Sequence, residues 1–221
     1  MGWLDDVAQV VVGAECVACG NAALGLCRAC APALRPQARI VRQRPCLVAA
    51  SGDYDGVLRS ALIAWKERGR FTVERPLAHL LAASVLALDV DGPVALVPIP
   101  SRPDRRRARG ADVVADLARR SAALLRSVGV EASIVRSLVF VKRVRDQSGL
   151  SAAARGDNVR GSLAARRVPT GTVVLVDDIV TTGATLGEAL RALRAVGADA
   201  EGAAVVAHRA RPGGAQRPDL S

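Results

Sequence analysis

The sequence predicts an α/β fold, a parallel sheet flanked by helices, and three observations carry the expectation. Residues 94–97, 173–176 and 203–207 are apolar runs without alternation, the pattern of strands buried on both faces of a parallel sheet. Segments with helical spacing of apolar residues lie between them, and alternation of the two element types predicts right-handed parallel connections. The run 173–176 then ends on Asp177 and Asp178, followed by Thr181, Thr182, Gly183, Ala184 and Thr185. In open α/β sheets the carboxyl ends of the strands are where ligands bind.

At 221 residues, half of them hydrophobic, the chain is long enough for one sizeable core and a small appendage. Its start carries acidic residues before a short apolar run, unlike the basic start of a secretory signal. No apolar stretch reaches transmembrane length, so the expected location is the cytoplasm, with no membrane partner. The net charge of +10 suits polyanionic ligands, either diphosphate-bearing small molecules or nucleic acid. Single-strand binding usually adds stacking on exposed rings; the aromatic residues here are only Trp3, Tyr54, Trp65, Phe71 and Phe140.

From the amino terminus, residues 3–12 read as a short amphipathic helix. Cys16, Cys19, Cys27 and Cys30 then form two C-x-x-C knuckles, which bring four thiolates to one tetrahedral centre, the chemistry of structural Zn²⁺. Four thiolates leave no open position, so such a metal is structural; an empty thiol cluster is the alternative reading. A helix-like piece near 28–34 follows, and Pro32, Pro36 and Pro45 mark a transition with short strands or low order.

Helical spacing over 55–66 (Val57, Leu58, Ala61, Leu62, Trp65) ends at Gly69, and a second helix fits 76–88. The strand 94–97 leads into Pro98, Ile99, Pro100 and Ser101, a rigid turn with room for unusual peptide geometry. Arg102, Arg105, Arg106, Arg107 and Arg109 follow. A charge run of this kind is either a solvated face or, between a strand end and the helix that begins near Val113, a diphosphate loop.

Residues 133–135 read as the next strand, and 141–160 as a polar mobile loop carrying Lys142, Arg143, Arg145 and Gln147. The tail 211–221 is Gly/Pro-rich, and disorder is expected there. The division is therefore 1–45 for the cysteine region, 46–210 for the α/β domain, and 211–221 for the tail. Lysine occurs only at Lys66 and Lys142, either solvated or in a phosphate-contacting or catalytic role.

The turn after Asp177 and Asp178 has two readings. Asp and Thr after a strand often cap a helix. Alternatively, the backbone N–H groups of the small turn, backed by a helix amino terminus, cradle a phosphate, while the acidic pair holds sugar hydroxyls.

Residues 173–185 resemble the phosphoribosyl pyrophosphate (PRPP) motif of type I phosphoribosyltransferases: hydrophobic residues, two acids, then a T-T/S-G-x-T turn. The resemblance extends along nearly the whole chain to the ComF/GntX group. It runs through the paired C-x-x-C, Tyr54, Gly56, Val57, Lys66 and Gly69, then 97–100 and 107–110, to Gln147, Leu150, Arg155 and Asn158. It implies a type I phosphoribosyltransferase fold with an amino-terminal zinc knuckle, Asp177 and Asp178 on the ribose hydroxyls, and residues 181–185 around the 5′-phosphate. It also implies Mg²⁺ with PRPP, pentosyl transfer to or from a nitrogenous acceptor, and a closing loop around 142–147.

The alternative it admits is a non-catalytic PRPP or nucleotide sensor that assists single-stranded DNA uptake in competence. Such a protein would work beside a helicase or DNA-processing proteins, and a homodimer is a candidate assembly. One departure stands out: after Gly110 the group has Phe-Asn-Gln, where this chain has Ala111, Asp112 and Val113.

Overall fold

The computed structural model describes residues 14–103, 112–141 and 159–209. The expected helix at 3–12, Arg105 to Arg109, the loop residues 142–158 and the tail 211–221 lie outside them. No helix among the described residues is long and apolar enough to cross a membrane.

Among the described residues, eight strands and four α-helices follow in the order β1 (Arg39–Arg42), β2 (Leu47–Ala50), α1 (Gly56–Arg68), α2 (Glu74–Leu86), β3 (Val94–Pro98), α3 (Val113–Ser127), β4 (Ala132–Ile134), β5 (Leu138–Phe140), β6 (Leu163–Ala165), β7 (Thr172–Val180), α4 (Ala184–Arg194) and β8 (Gly202–His208). Six strands make one sheet in the order β1-β2-β8-β7-β3-β4. All neighbours are parallel except β1, which runs antiparallel to β2. The expectation of a parallel sheet is thus corrected at one edge: a short connection through Pro45 returns β1 directly onto β2, and only an antiparallel pair closes with so few residues.

Each central strand is sealed on both faces. One cluster packs Leu62, Trp65, Leu77, Leu81, Leu117 and Leu125 of α1, α2 and α3 onto Leu96, Val174, Val176 and Val206. The other packs Leu186, Ala189, Leu190 and Leu193 of α4 onto Val97, Val173, Leu175 and Val205. Each fully buried leucine contributes on the order of 2 kcal/mol, so this two-sided burial explains why the strands read as unbroken apolar runs. Gly69 ends α1 in the left-handed conformation, φ +63°, which costs glycine little.

The connections fix the place of a site. The chain leaves β3 through α3 to β4, towards one edge, and leaves β7 through α4 to β8, towards the other. The two helices cover opposite faces of the sheet. Adjacent strands whose connections diverge in this way open a crevice at their carboxyl ends, the switch point where ligands bind.

The sequence does not announce β5 and β6, a separate antiparallel ribbon. It is short and flanks the polar 142–158 stretch. Buried Glu188 of α4 accepts the Leu163 N–H at 3.0 Å, and Arg191 donates to the Leu163 carbonyl at 2.7 Å. Side chains of α4 therefore supply the ribbon with tertiary hydrogen bonds that no local pattern encodes. The cis peptide recorded among the described residues is Arg44–Pro45; the bonds of 97–101 are ordinary.

Candidate functional site

Strand β7 runs two residues beyond the acidic pair. On the β3 side the ladder stops at Pro98 opposite Val176, and the Ile99 N–H donates to the Val176 carbonyl at 2.9 Å. Asp177 and Asp178 consequently overhang the end of β3, beside the 98–101 turn and before the 181–183 turn. The crevice thus gathers three expected pieces: the acidic pair, the start of the arginine segment and the small-residue turn.

The alternation of faces slips at the acids. Val174 and Val176 pack with α1 to α3, and so does Ile179, an odd number of residues later; Val173, Leu175 and Val180 pack on the α4 side. The slip lets two successive carboxyl groups come together instead of pointing to opposite faces.

Their environments differ. Lys66 of α1 reaches across with its Nζ 2.5 Å from Asp178 Oδ2. Burial opposes ionisation of Asp178, yet the Lys66 ammonium and hydrogen bonds to the carboxylate hold it below the usual carboxylate range. Asp177 is pushed well above that range, by burial first and by the adjacent Asp178 charge second. Its Oδ1 accepts the backbone N–H of Asp178 at 2.8 Å, and the residue retains some solvent contact. An anion thus sits beside a carboxyl that resists ionisation, a pair suited to hydrogen bonding with vicinal hydroxyls.

The turn has a geometry that suits an anion. Gly183 caps α4 with φ +80°, and a Cβ there would lie 3.2 Å from Arg42 Nη1, so both conformation and space call for glycine. Thr182 Oγ1 accepts the Ala184 N–H at 3.3 Å. Helix α4, eleven residues long, directs its positive end into the crevice.

At the neighbouring turn Ile99 is buried, and Ser101 donates its Oγ to Asp112 Oδ1 at 3.1 Å. Asp112, one of the three residues that depart from the resemblance, thereby ties the two ends of the arginine segment. Arg102 is described; Arg107 and Arg109 are not, and neither are Lys142, Arg143, Arg145 and Gln147.

Sequence reading missed a basic group on the β1 and β8 side. Arg42 donates to the carbonyls of Thr181 and Thr182 at 2.7 and 2.8 Å. His208, opposite Val180 in register, lies 3.9 Å from Asp53 Oδ1, which in turn pairs with Arg39 at 2.7 Å. Burial and then the Arg42 charge hold the His208 imidazole below its ordinary range. The contact spans about 140 positions of sequence, and among so many arginines nothing local distinguishes Arg42.

Away from the crevice, the ligand atoms of Cys16, Cys19, Cys27 and Cys30 all lie within 4.8 Å of one another, compatible with a zinc knuckle. Burial opposes a Cys16 thiolate, but the backbone N–H of Cys27 and those of Ala18 and Cys19 bring its pKa to about 6. Cys30 is pushed up to about 12 by its neighbours, Cys19 first. The donor set fits a soft dication that would make all four thiolates compatible. Val17, Leu26 and Leu34 join the knuckle to the core under α1 and α2.

Comparison with known proteins now decides the family. The phosphoribosyl transferase domain matches residues 105–219, more than half of the chain. The chain belongs to the phosphoribosyl transferase domain family. It is also 32% identical over 156 residues to Competence protein F of Haemophilus influenzae, an alignment covering 67% of this chain and 66% of that relative. The chain therefore matches just under two thirds of the relative's length. These findings bear out the resemblance to the ComF-like group of phosphoribosyltransferase-type proteins.

Proposed function

We propose that the chain binds PRPP in the crevice between β3 and β7 and, with Mg²⁺, transfers the phosphoribosyl group to or from a nitrogenous acceptor. The observation that carries this reading is the juxtaposition at one strand end of an acidic pair, clamped by Lys66, with a glycine-capped helix amino terminus. Asp177 and Asp178 hold the ribose hydroxyls, and residues 181–185 hold the 5′-phosphate. Mg²⁺ would supply charge neutralisation for the diphosphate.

In the transfer, the bond from C1 to the diphosphate oxygen breaks as the acceptor nitrogen bonds to C1. The anionic Asp178 lies near the sugar, where positive charge develops, and Arg102, with Arg107 and Arg109 by resemblance, receives the departing diphosphate. This is electrostatic catalysis. By resemblance alone, Lys142, Arg143, Arg145 and Gln147 cover the reactants. Zinc in the four-cysteine cluster has a structural role.

Calorimetric titration with PRPP and Mg²⁺ should give saturable one-to-one binding, and pyrophosphate release with a panel of nucleobases and amines should reveal the acceptor. Absence of PRPP binding would overturn the assignment. A second reading takes support from the charge of +10 and the relative's name: a non-catalytic PRPP or nucleotide sensor that works with single-stranded DNA and its helicase or processing proteins in competence. PRPP binding without turnover, together with DNA affinity that falls steeply with salt, would select it.

A further inference from the structure

We propose that Arg42 is the positioning residue of the phosphate turn: its forked guanidinium holds two carbonyls of the turn so that the opposite N–H groups face the ligand. The inference deepens the PRPP reading and rests on it for the identity of the ligand.

The argument begins with the peptide plane. In a trans peptide the C=O of one residue and the N–H of the next point in opposite directions. Arg42 Nη2 fixes the Thr181 carbonyl at 2.7 Å, and Nη1 fixes the Thr182 carbonyl at 2.8 Å. The N–H groups of Thr182 and Gly183 are thereby aimed away from Arg42. Among the described residues neither has a hydrogen-bond partner. Two adjacent, parallel and unpartnered donors at a helix amino terminus form an anion cradle, and here their direction is imposed from behind.

The edge strand is shaped for this contact. Ile40 pairs with Ala49 but Arg42 pairs with Val48, so β1 carries one extra residue just before Arg42. Such bulges re-aim a side chain out of the regular pleat. Gly183 contributes from the other side, since a Cβ would press on Arg42 Nη1 at 3.2 Å. Lysine could keep the charge but not the fork: one ammonium cannot reproduce the planar pair of donors that meets two successive carbonyls.

Arg42→Lys is therefore the discriminating variant, with Arg42→Ala beside it. Both should keep the wild-type melting temperature within a few degrees, because the contact is half-exposed. Both should weaken PRPP binding by roughly tenfold or more, the scale of a lost charge-assisted hydrogen bond. If Arg42 acted only as a positive charge near the phosphate, Arg42→Lys would bind as wild type does, which would overturn the proposal.

Backbone ¹⁵N relaxation of the ligand-free protein supplies an arm that does not need PRPP. Amides of Thr182 and Gly183 should be as ordered as the helices in wild type and lose order in both variants. Unchanged order in Arg42→Ala would sink the clamp even if PRPP binds. Failure of the wild-type protein to bind PRPP, with order lost on substitution, would leave the clamp standing and remove the phosphoribosyl reading.

Discussion

Two clusters of groups that repel one another when ionised sit in this molecule, and they resolve the repulsion by different means. Around Cys16, Cys19, Cys27 and Cys30 one thiol falls to about 6, its thiolate held by backbone N–H groups, and another rises to about 12 under the influence of its neighbours, Cys19 first. At Asp177 and Asp178 the protein supplies its own cation, Lys66, to one carboxyl, while burial and the neighbouring charge push the other well above the usual carboxylate range. The difference suits the role proposed for each. A structural centre gains by using every donor on one metal, whereas a site for a hydroxylated ligand must keep one group available.

The contrast is tested most severely by removing the zinc proposed for the cysteine cluster. Protein purified without chelator should carry one zinc per chain by elemental analysis. Stripping it should lower the melting temperature and expose the knuckle to proteolysis, with a loss of several kcal/mol. Val17, Leu26 and Leu34 lie against the main core, so the damage should reach α1 and not stop at the knuckle. Full stability in the chelated, zinc-free protein would mean that packing alone holds the four thiols together.

Next in size is Lys66→Ala. Asp178 is almost fully buried and Lys66 about three quarters so, with exposures of 4% and 25%. Removing one partner of such a pair costs about 3 kcal/mol, chiefly because an unpaired charge stays behind. The cost should appear in urea unfolding at neutral pH and shrink at low pH, once Asp178 is protonated in both states. A variant as stable as wild type at neutral pH would show that the ammonium does not compensate Asp178.

These contrasts also show what sequence can carry. The buried strands β3, β7 and β8 were legible because burial on both faces leaves a continuous apolar run. The acids and the turn were legible because chemistry and local backbone coincide within thirteen residues. The cysteine knuckles had the same advantage. Lys66 stands out in the sequence as a rare residue type and as part of the family resemblance; that it meets Asp178, 112 positions away, is decided by how α1 lies across the sheet. Arg42 and the Glu188 contact to the β5–β6 ribbon were not legible, since each is one charged side chain on a long-range backbone target. The antiparallel turn of β1 onto β2 escaped for a related reason: four-residue strands show no period strong enough to read.

The smallest effect on stability should also be the most informative. Asp177→Asn keeps an oxygen for the Asp178 N–H and removes a group that resists ionisation. Because the folded-state pKa of Asp177 is raised, folding favours its protonated form. Its contribution to stability is present below the unfolded value, about 3.9, and is lost as the pH rises through the folded value. Asp178 has the opposite sign: its lowered pKa gives stability above about 3.9 that is lost as the pH falls through the folded value. Urea titrations across this range should therefore show wild type losing stability above pH 4 relative to Asp177→Asn. The variant should be as stable or slightly more stable at neutral pH, while binding PRPP more weakly for want of a carboxyl at the ribose hydroxyls. A variant clearly less stable at neutral pH would mean that Asp177, like Asp178, is held by a favourable charge interaction, and the contrast between the two carboxyls would fail.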